Sequence, residues 1–231
     1  MTTDDRAGRV MQPVIVVVSG LPRAGTSMLM QMLEAGGLPL LRDEIRVADP
    51  DNPRGFFEFE PVKRLQSDSA FLSQAVGRAV KVVAPLLTSL PRRYAYRIVF
   101  LERPLDEVLE SQERMLARAG ALPDTQAEGA LRRAFEAALR ASRDWIDRED
   151  CARACFVSHA ETLDSPGSTA ARIATFLASP ASADRPLPPR LERWSERFST
   201  DSEEIIRAMA SVVDPTLYRA RRRDAATARG R

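Results

Sequence analysis

Gly20 and Gly25 are separated by four residues and followed by Thr26 and Ser27. Neither glycine carries a Cβ and both can take positive φ, so the chain between them can bring its backbone close to a ligand. A helix starting here would point free N–H groups and the positive end of its dipole at that ligand, which favours a phosphate-like anion. The spacing is that of the triphosphate-binding loop G-x-x-x-x-G-K-[ST], with Thr26 where the lysine would stand. That lysine reaches the β- and γ-phosphates, and the hydroxyl after it holds Mg²⁺. A loop that keeps both glycines, lacks the ammonium and carries Arg23 inside suits an anion with no Mg²⁺-bound γ-phosphate.

Other residues could share that chemistry. Arg103 ends an apolar run, and Ser111 follows Pro104 by seven residues, two helical turns along the same side. Arg103 and Ser111 could therefore grip one anion together. Lys81 sits within the apolar run 79–83, where burying a lone ammonium is expensive, so it must face solvent, a partner or a ligand. Asp43, Glu44, Glu58, Glu60 and His159 are the candidates for a proton acceptor. Cys151, Cys155 and His159 have a spacing that could hold zinc on one helix face, but residues 154–158 have the pattern of a strand, which would scatter them.

The elements that must position these groups follow from hydrophobic periodicity. Residues 14–18 form an unbroken β-branched run, as in a strand buried on both faces of a parallel sheet. Met28, Leu29, Met32 and Leu33 repeat at helical spacing, with Gly36 and Gly37 as the stop. Further strands are predicted at 79–83, 96–101 and 155–158. Helices are predicted after Pro104, over 124–149, over 170–178, and at about 190–198 and 201–212, the last opened by Thr200 or Asp201. Residues 38–62 are rich in turn formers, and so long a connection is uncommon unless it lines a site. Residues 180–189 form a proline-rich spacer.

At 231 residues the chain suits one α/β domain. The expected layout is a loose lead-in at 1–12, a domain over 13–218 and a basic, disordered tail over 219–231. The net charge is +2, but residues 219–231 carry six arginines against one aspartate, and the rest has 28 basic and 31 acidic residues. This balance gives no support for nucleic-acid binding. Two cysteines are too few for a disulfide framework, and no apolar stretch is long enough to span a membrane, so a soluble cytoplasmic protein without stable membrane insertion is expected.

The run Pro22, Arg23, Ala24, Gly25, Thr26, Ser27 resembles the P-R/K-S-G-T-[ST] loop with which the sulfotransferase superfamily binds the 5′-phosphosulfate of 3′-phosphoadenosine 5′-phosphosulfate (PAPS). The likeness is closest to the tyrosylprotein and bacterial branches, and Ala24 alone departs. Arg103 and Ser111 resemble the family's second nucleotide signature, which holds the 3′-phosphate. The resemblance implies a P-loop-type three-layer sandwich with a mostly parallel central sheet flanked by helices. It implies PAPS as sulfuryl donor, no metal, and a small-molecule, carbohydrate or peptide acceptor. Residues 22–27, Arg103 and Ser111 would bind the nucleotide. Arg23 and Lys81 would stabilise charge on the transferred group, and Glu44, matching the acidic pair of the family's G-E-E-T, would be the base, with Glu58 next. His159 stands where the family's Y-E-D-L has tyrosine, Ala160 where it has glutamate, and the glycine-rich R-K-G element is not seen.

Two other functions share these features. A P-loop kinase with an altered lysine would need Mg²⁺ and ATP, which Thr26 argues against. A non-catalytic homologue would bind nucleotide without turnover.

Overall fold

The computed structural model describes residues 12–45, 54–118, 120, 125–179 and 187–218. Four strands, β1 (Val14–Gly20), β2 (Ala79–Lys81), β3 (Ala95–Glu102) and β4 (Ala152–Ser158), form one parallel sheet in the order β2-β1-β3-β4. The β-branched run of β1 explains its central place, because both its faces must be covered, and every residue of β1 is buried. Parallel neighbours require crossovers, and helices supply them. The result is an α/β sheet flanked by helices, as the alternating strand and helix patterns predict.

The helices fall into two packed groups. One contains α1 (Thr26–Ala35), α6 (Pro166–Ala178) and α7 (Pro189–Ser211); the other contains α2 (Ala84–Leu87), α3 (Leu105–Arg118) and α4 (Thr125–Arg148). Among the described residues there are also two short α-helices, α5 (His159–Asp164) and α8 (Pro215–Tyr218). The predicted pair at 190–198 and 201–212 is one run kinked at Asp201, where φ is −119° and ψ 31°. Trp194 of α7 donates its indole N–H to the Gly36 carbonyl at 2.8 Å, tying α7 to the end of α1. The helix predicted over 170–178 starts a turn earlier, because Pro166 suits a first helical position. The predicted tail, most of the lead-in and most of the proline-rich spacer lie outside the described residues.

One buried charge shapes the core. Arg97 lies in the middle of β3, 4% exposed, and donates to the carbonyls of Phe176 at 3.2 Å, Leu177 and Ser179 at the end of α6. Those carbonyls have no partner further along the helix, and the negative end of its dipole favours a cation there.

Register brings the site together. Gly20 pairs with Leu101, Glu102 with Ser158, and Val18 with Lys81, so the carboxyl ends of all four strands share one edge. In open α/β sheets ligands bind at that edge.

Candidate functional site

The loop between β1 and α1 depends on its two glycines. Gly20 has φ 149°, and a Cβ there would meet the Leu101 carbonyl oxygen at 2.7 Å. Gly25 has φ 104°, and its Cβ would meet the His159 ring at 3.0 Å. Arg23 also takes a left-handed φ of 69°. Gly25 is the N-cap of α1, and no side chain caps the helix or places an acidic group in its first turn. The helix entrance thus offers backbone donors and a positive dipole end to an anion.

Arg23 donates from Nε to Ser111 Oγ at 3.3 Å, and Arg103 donates from Nη1 to the Arg23 carbonyl at 3.1 Å. Arg103 also pairs through Nε with Glu107 at 3.0 Å, one helical turn on. Ser111 is buried on the face of α3 that looks toward the loop. The structure therefore brings Arg23, Arg103 and Ser111 into one cluster, with the loop arginine at its centre.

A second cluster lies on the β2 side. Lys81 is 7% exposed, and its Nζ reaches Ser27 Oγ at 3.4 Å, Glu58 Oε1 at 3.4 Å and the Phe56 carbonyl. Ser27 donates to that same carbonyl at 3.1 Å. Phe57 takes a left-handed φ of 53° with its ring buried under the Arg42 guanidinium. This kink in residues 56–58 accompanies both the inward Phe56 carbonyl and the carboxylate of Glu58 beside Lys81.

The remaining candidates are spread around it. Asp43 accepts from the backbone N–H of Glu60 at 2.5 Å and of Ile45 at 3.2 Å, and so shapes the connection after α1. Glu60 pairs with Lys63 at 2.7 Å, and Glu44 is exposed at a bend. His159 opens α5, 3% exposed, with Nε2 buried and without a partner. Burial, with a smaller contribution from the nearby Arg103 guanidinium, pushes its imidazole down to about 4. Its ring fills the space a side chain on Gly25 would need. Pro22, Ala24 and Thr26 complete the loop, and Ala24 and Thr26 are buried. Among the described residues no three His, Cys, Asp or Glu side chains are placed to hold a metal ion, and no helix is long and apolar enough to cross a membrane.

No protein-family model matches the chain, and no curated protein matches it. Several solved structures are similar to it, two of them sulfotransferases. A sulfotransferase domain from the curacin biosynthetic pathway is 16% identical, with 80% of this chain and 78% of that chain covered at a TM-score of 0.44. A sulfotransferase from Alicyclobacillus acidocaldarius is also 16% identical, with 91% and 100% covered at 0.45. Likenesses this distant do not identify a reaction, so the chemistry must be read from the residues themselves.

Nothing in the sequence marked the Phe56 carbonyl as an acceptor, because a backbone group carries no residue signature. The signal that was available for Lys81 and Glu58 was physical: a lysine inside a buried strand needs a counterion. Both Phe56 and Glu58 lie in the connection 38–62, whose length points to a role in a site.

Proposed function

We propose that the chain is a sulfotransferase, moving a sulfuryl group from PAPS to a hydroxyl or amine of a small-molecule, carbohydrate or peptide acceptor. The observation that carries this reading is the state of Ser27. In a triphosphate site the hydroxyl at this position holds Mg²⁺. Here it donates to Phe56 and has the Lys81 ammonium 3.4 Å away, so a divalent cation at Ser27 would face a buried positive charge. The same ammonium suits an anion seated without a metal. The loop glycines, the uncapped start of α1 and Arg23 fit a phosphosulfate, and they also fit the resemblance of residues 22–27 to the superfamily's loop.

Sulfuryl transfer requires three things of the chain: a held donor, a neutralised charge and an acceptor relieved of its proton. Loop N–H groups and Arg23 would hold the phosphate end, with Arg103 bracing Arg23. Lys81 and Arg23 would stabilise charge that develops on the transferred group and the bridging oxygen, and the burial of Lys81 makes its share of that stabilisation stronger than in water. Glu44 is the base that the family likeness designates. What supports Glu58 in that role is its contact with Lys81 and its part-exposed carboxylate, which an acceptor could reach. We therefore assign the proton to Glu58.

The test is transfer of labelled sulfate from PAPS to a panel of phenols, alkyl alcohols, sugars and amines with chelator present. Label in at least one acceptor supports the reading. Turnover in Glu58→Gln should fall by about 10²-fold, with a much smaller change in Glu44→Gln. Absence of transfer to every acceptor, with nucleotide binding intact, would favour a non-catalytic binding protein.

A further inference from the structure

Outside the β1–α1 loop, Phe57 is the only described residue other than glycine with a left-handed φ, at 53°. That conformation crowds the Cβ of any L residue, so it persists only where surrounding contacts hold it. Two sets of contacts hold it here. The buried ring lies under the Arg42 guanidinium, 4.8 Å from its centre, and Arg42 is tied to Glu34 of α1 at 3.0 Å. The carbonyl just before it, that of Phe56, accepts from Ser27 at 3.1 Å and from Lys81. The chain beyond is pinned as well, since the Glu58 carbonyl accepts from the Asp43 N–H at 2.9 Å.

The Phe56 carbonyl brings the wrong sign of charge to this place. Lys81 is the cation that would meet the transferred group, and a carbonyl oxygen on it repels the oxygens of that group. Turning over one peptide plane removes both the strain and the repulsion. Such a movement exchanges C=O and N–H and changes ψ before the plane and φ after it by about 180°, as between type I and type II turns. At Phe57 it would carry φ into the ordinary negative range and put an N–H where the carbonyl stands. That N–H has no hydrogen-bond partner among the described residues, so none is lost. Gly55, at φ 93°, precedes the pair and can absorb the remaining change.

We propose that the peptide between Phe56 and Phe57 is a latch that turns over when the sulfuryl end of the donor arrives. Latched, its carbonyl occupies Lys81 and Ser27. Turned over, it releases Lys81 and presents the Phe57 N–H to the transferred group. This rests on the PAPS reading of the loop and on Lys81 as the charge-stabilising cation. The side chains of residues 56 and 57 take no part in the exchange, which is why no motif marks it.

Phe56 and Phe57 form the only Phe–Phe bond in the sequence, so a chain labelled with ¹³C-carbonyl, ¹⁵N-phenylalanine has one directly bonded labelled pair. Its NMR signal reads the Phe56 carbonyl and the Phe57 N–H together. In chelator and without acceptor, PAPS should move that signal to a new position in slow or intermediate exchange, and 3′-phosphoadenosine 5′-phosphate, which lacks the sulfuryl group, should leave it near its starting place. Two variants check the energetics by titration calorimetry. Glycine accepts a positive φ and favours the latch, whereas a β-branched residue resists it. Phe57→Val should therefore bind PAPS about tenfold more tightly than Phe57→Gly, with the bisphosphate within about twofold between them. Loss of the ring is common to both variants, so a purely structural role would not separate them. An unmoved signal with PAPS bound, or the same movement with both nucleotides, would overturn the latch while the reading of the loop stands. If calorimetry shows that PAPS does not bind the wild type, the PAPS reading falls and the latch with it.

Discussion

The contact between Lys81 and Glu58 can be measured apart from any catalysis. Its Nζ–Oε1 distance is 3.4 Å, with side chains 6% and 26% exposed. At that distance two unit charges attract by about 5 kcal/mol at an effective dielectric of 20 and about 1 kcal/mol in bulk water. Glu58 is a quarter exposed, so solvent screens part of the attraction, and a coupling of about 1–3 kcal/mol is expected. Lys81→Met keeps the volume and removes the charge, leaving a carboxylate with some access to water. Glu58→Gln leaves the ammonium with Ser27 and the Phe56 carbonyl. Each change should destabilise by about 1–2 kcal/mol, and the double variant should lose less than their sum. Urea unfolding followed by the fluorescence of Trp145 and Trp194 reads this directly. Additivity within about 0.5 kcal/mol would mean that the two groups do not interact and that Lys81 faces the ligand unassisted.

Gly25→Ala places a Cβ at φ 104° and 3.0 Å from the buried His159 ring, so it should cost about 2 kcal/mol or more and abolish nucleotide binding. Adding His159→Ala should recover only part of that stability in urea unfolding, because the backbone strain remains. Arg97→Met removes a buried guanidinium from three carbonyls at the end of α6, and should lower stability by about 2–4 kcal/mol, seen in the urea midpoint. His159 titrates at about 4 when folded against 6.5 when unfolded, so the unfolded chain takes up the proton first as pH falls. Stability should be complete above about pH 6.5 and decline toward about pH 4, by about 3 kcal/mol from this group, and His159→Phe should lack that component when unfolding is compared at pH 7 and pH 4.5.

Much of the fold was legible because its signals are local. A β-branched run with no polar alternation leaves a strand little choice but burial on both sides, and the residues 14–18 reading extended by only two residues to become β1. The meeting of Arg23, Arg103 and Ser111 was half legible: helical spacing put Ser111 on the same side as Arg103, but only the register of β1 against β3 brings both to the loop. The same reading has Arg103 and Ser111 gripping one anion together; the structure adds a hydrogen bond from Arg103 to the Arg23 carbonyl. That bond depends on which groups lie close in space, and sequence spacing holds no such information. In the sequence Arg97 is one residue of a strand, and nothing local tells that a helix end, some eighty residues later, supplies its partners. His159 shows the reverse case. Its type suggests a proton acceptor, and only the structure shows that it is buried and packed behind Gly25.

The central claim is that loop residues 20–27 hold an anionic nucleotide without a metal. It is tested most directly by titration of the purified chain with 3′-phosphoadenosine 5′-phosphate in chelator, repeated with Mg²⁺ and with ATP. Micromolar binding of the bisphosphate that Mg²⁺ does not improve, lost on Arg23→Ala, is the predicted result. Binding of ATP that appears only with Mg²⁺, with none of the bisphosphate, would contradict it.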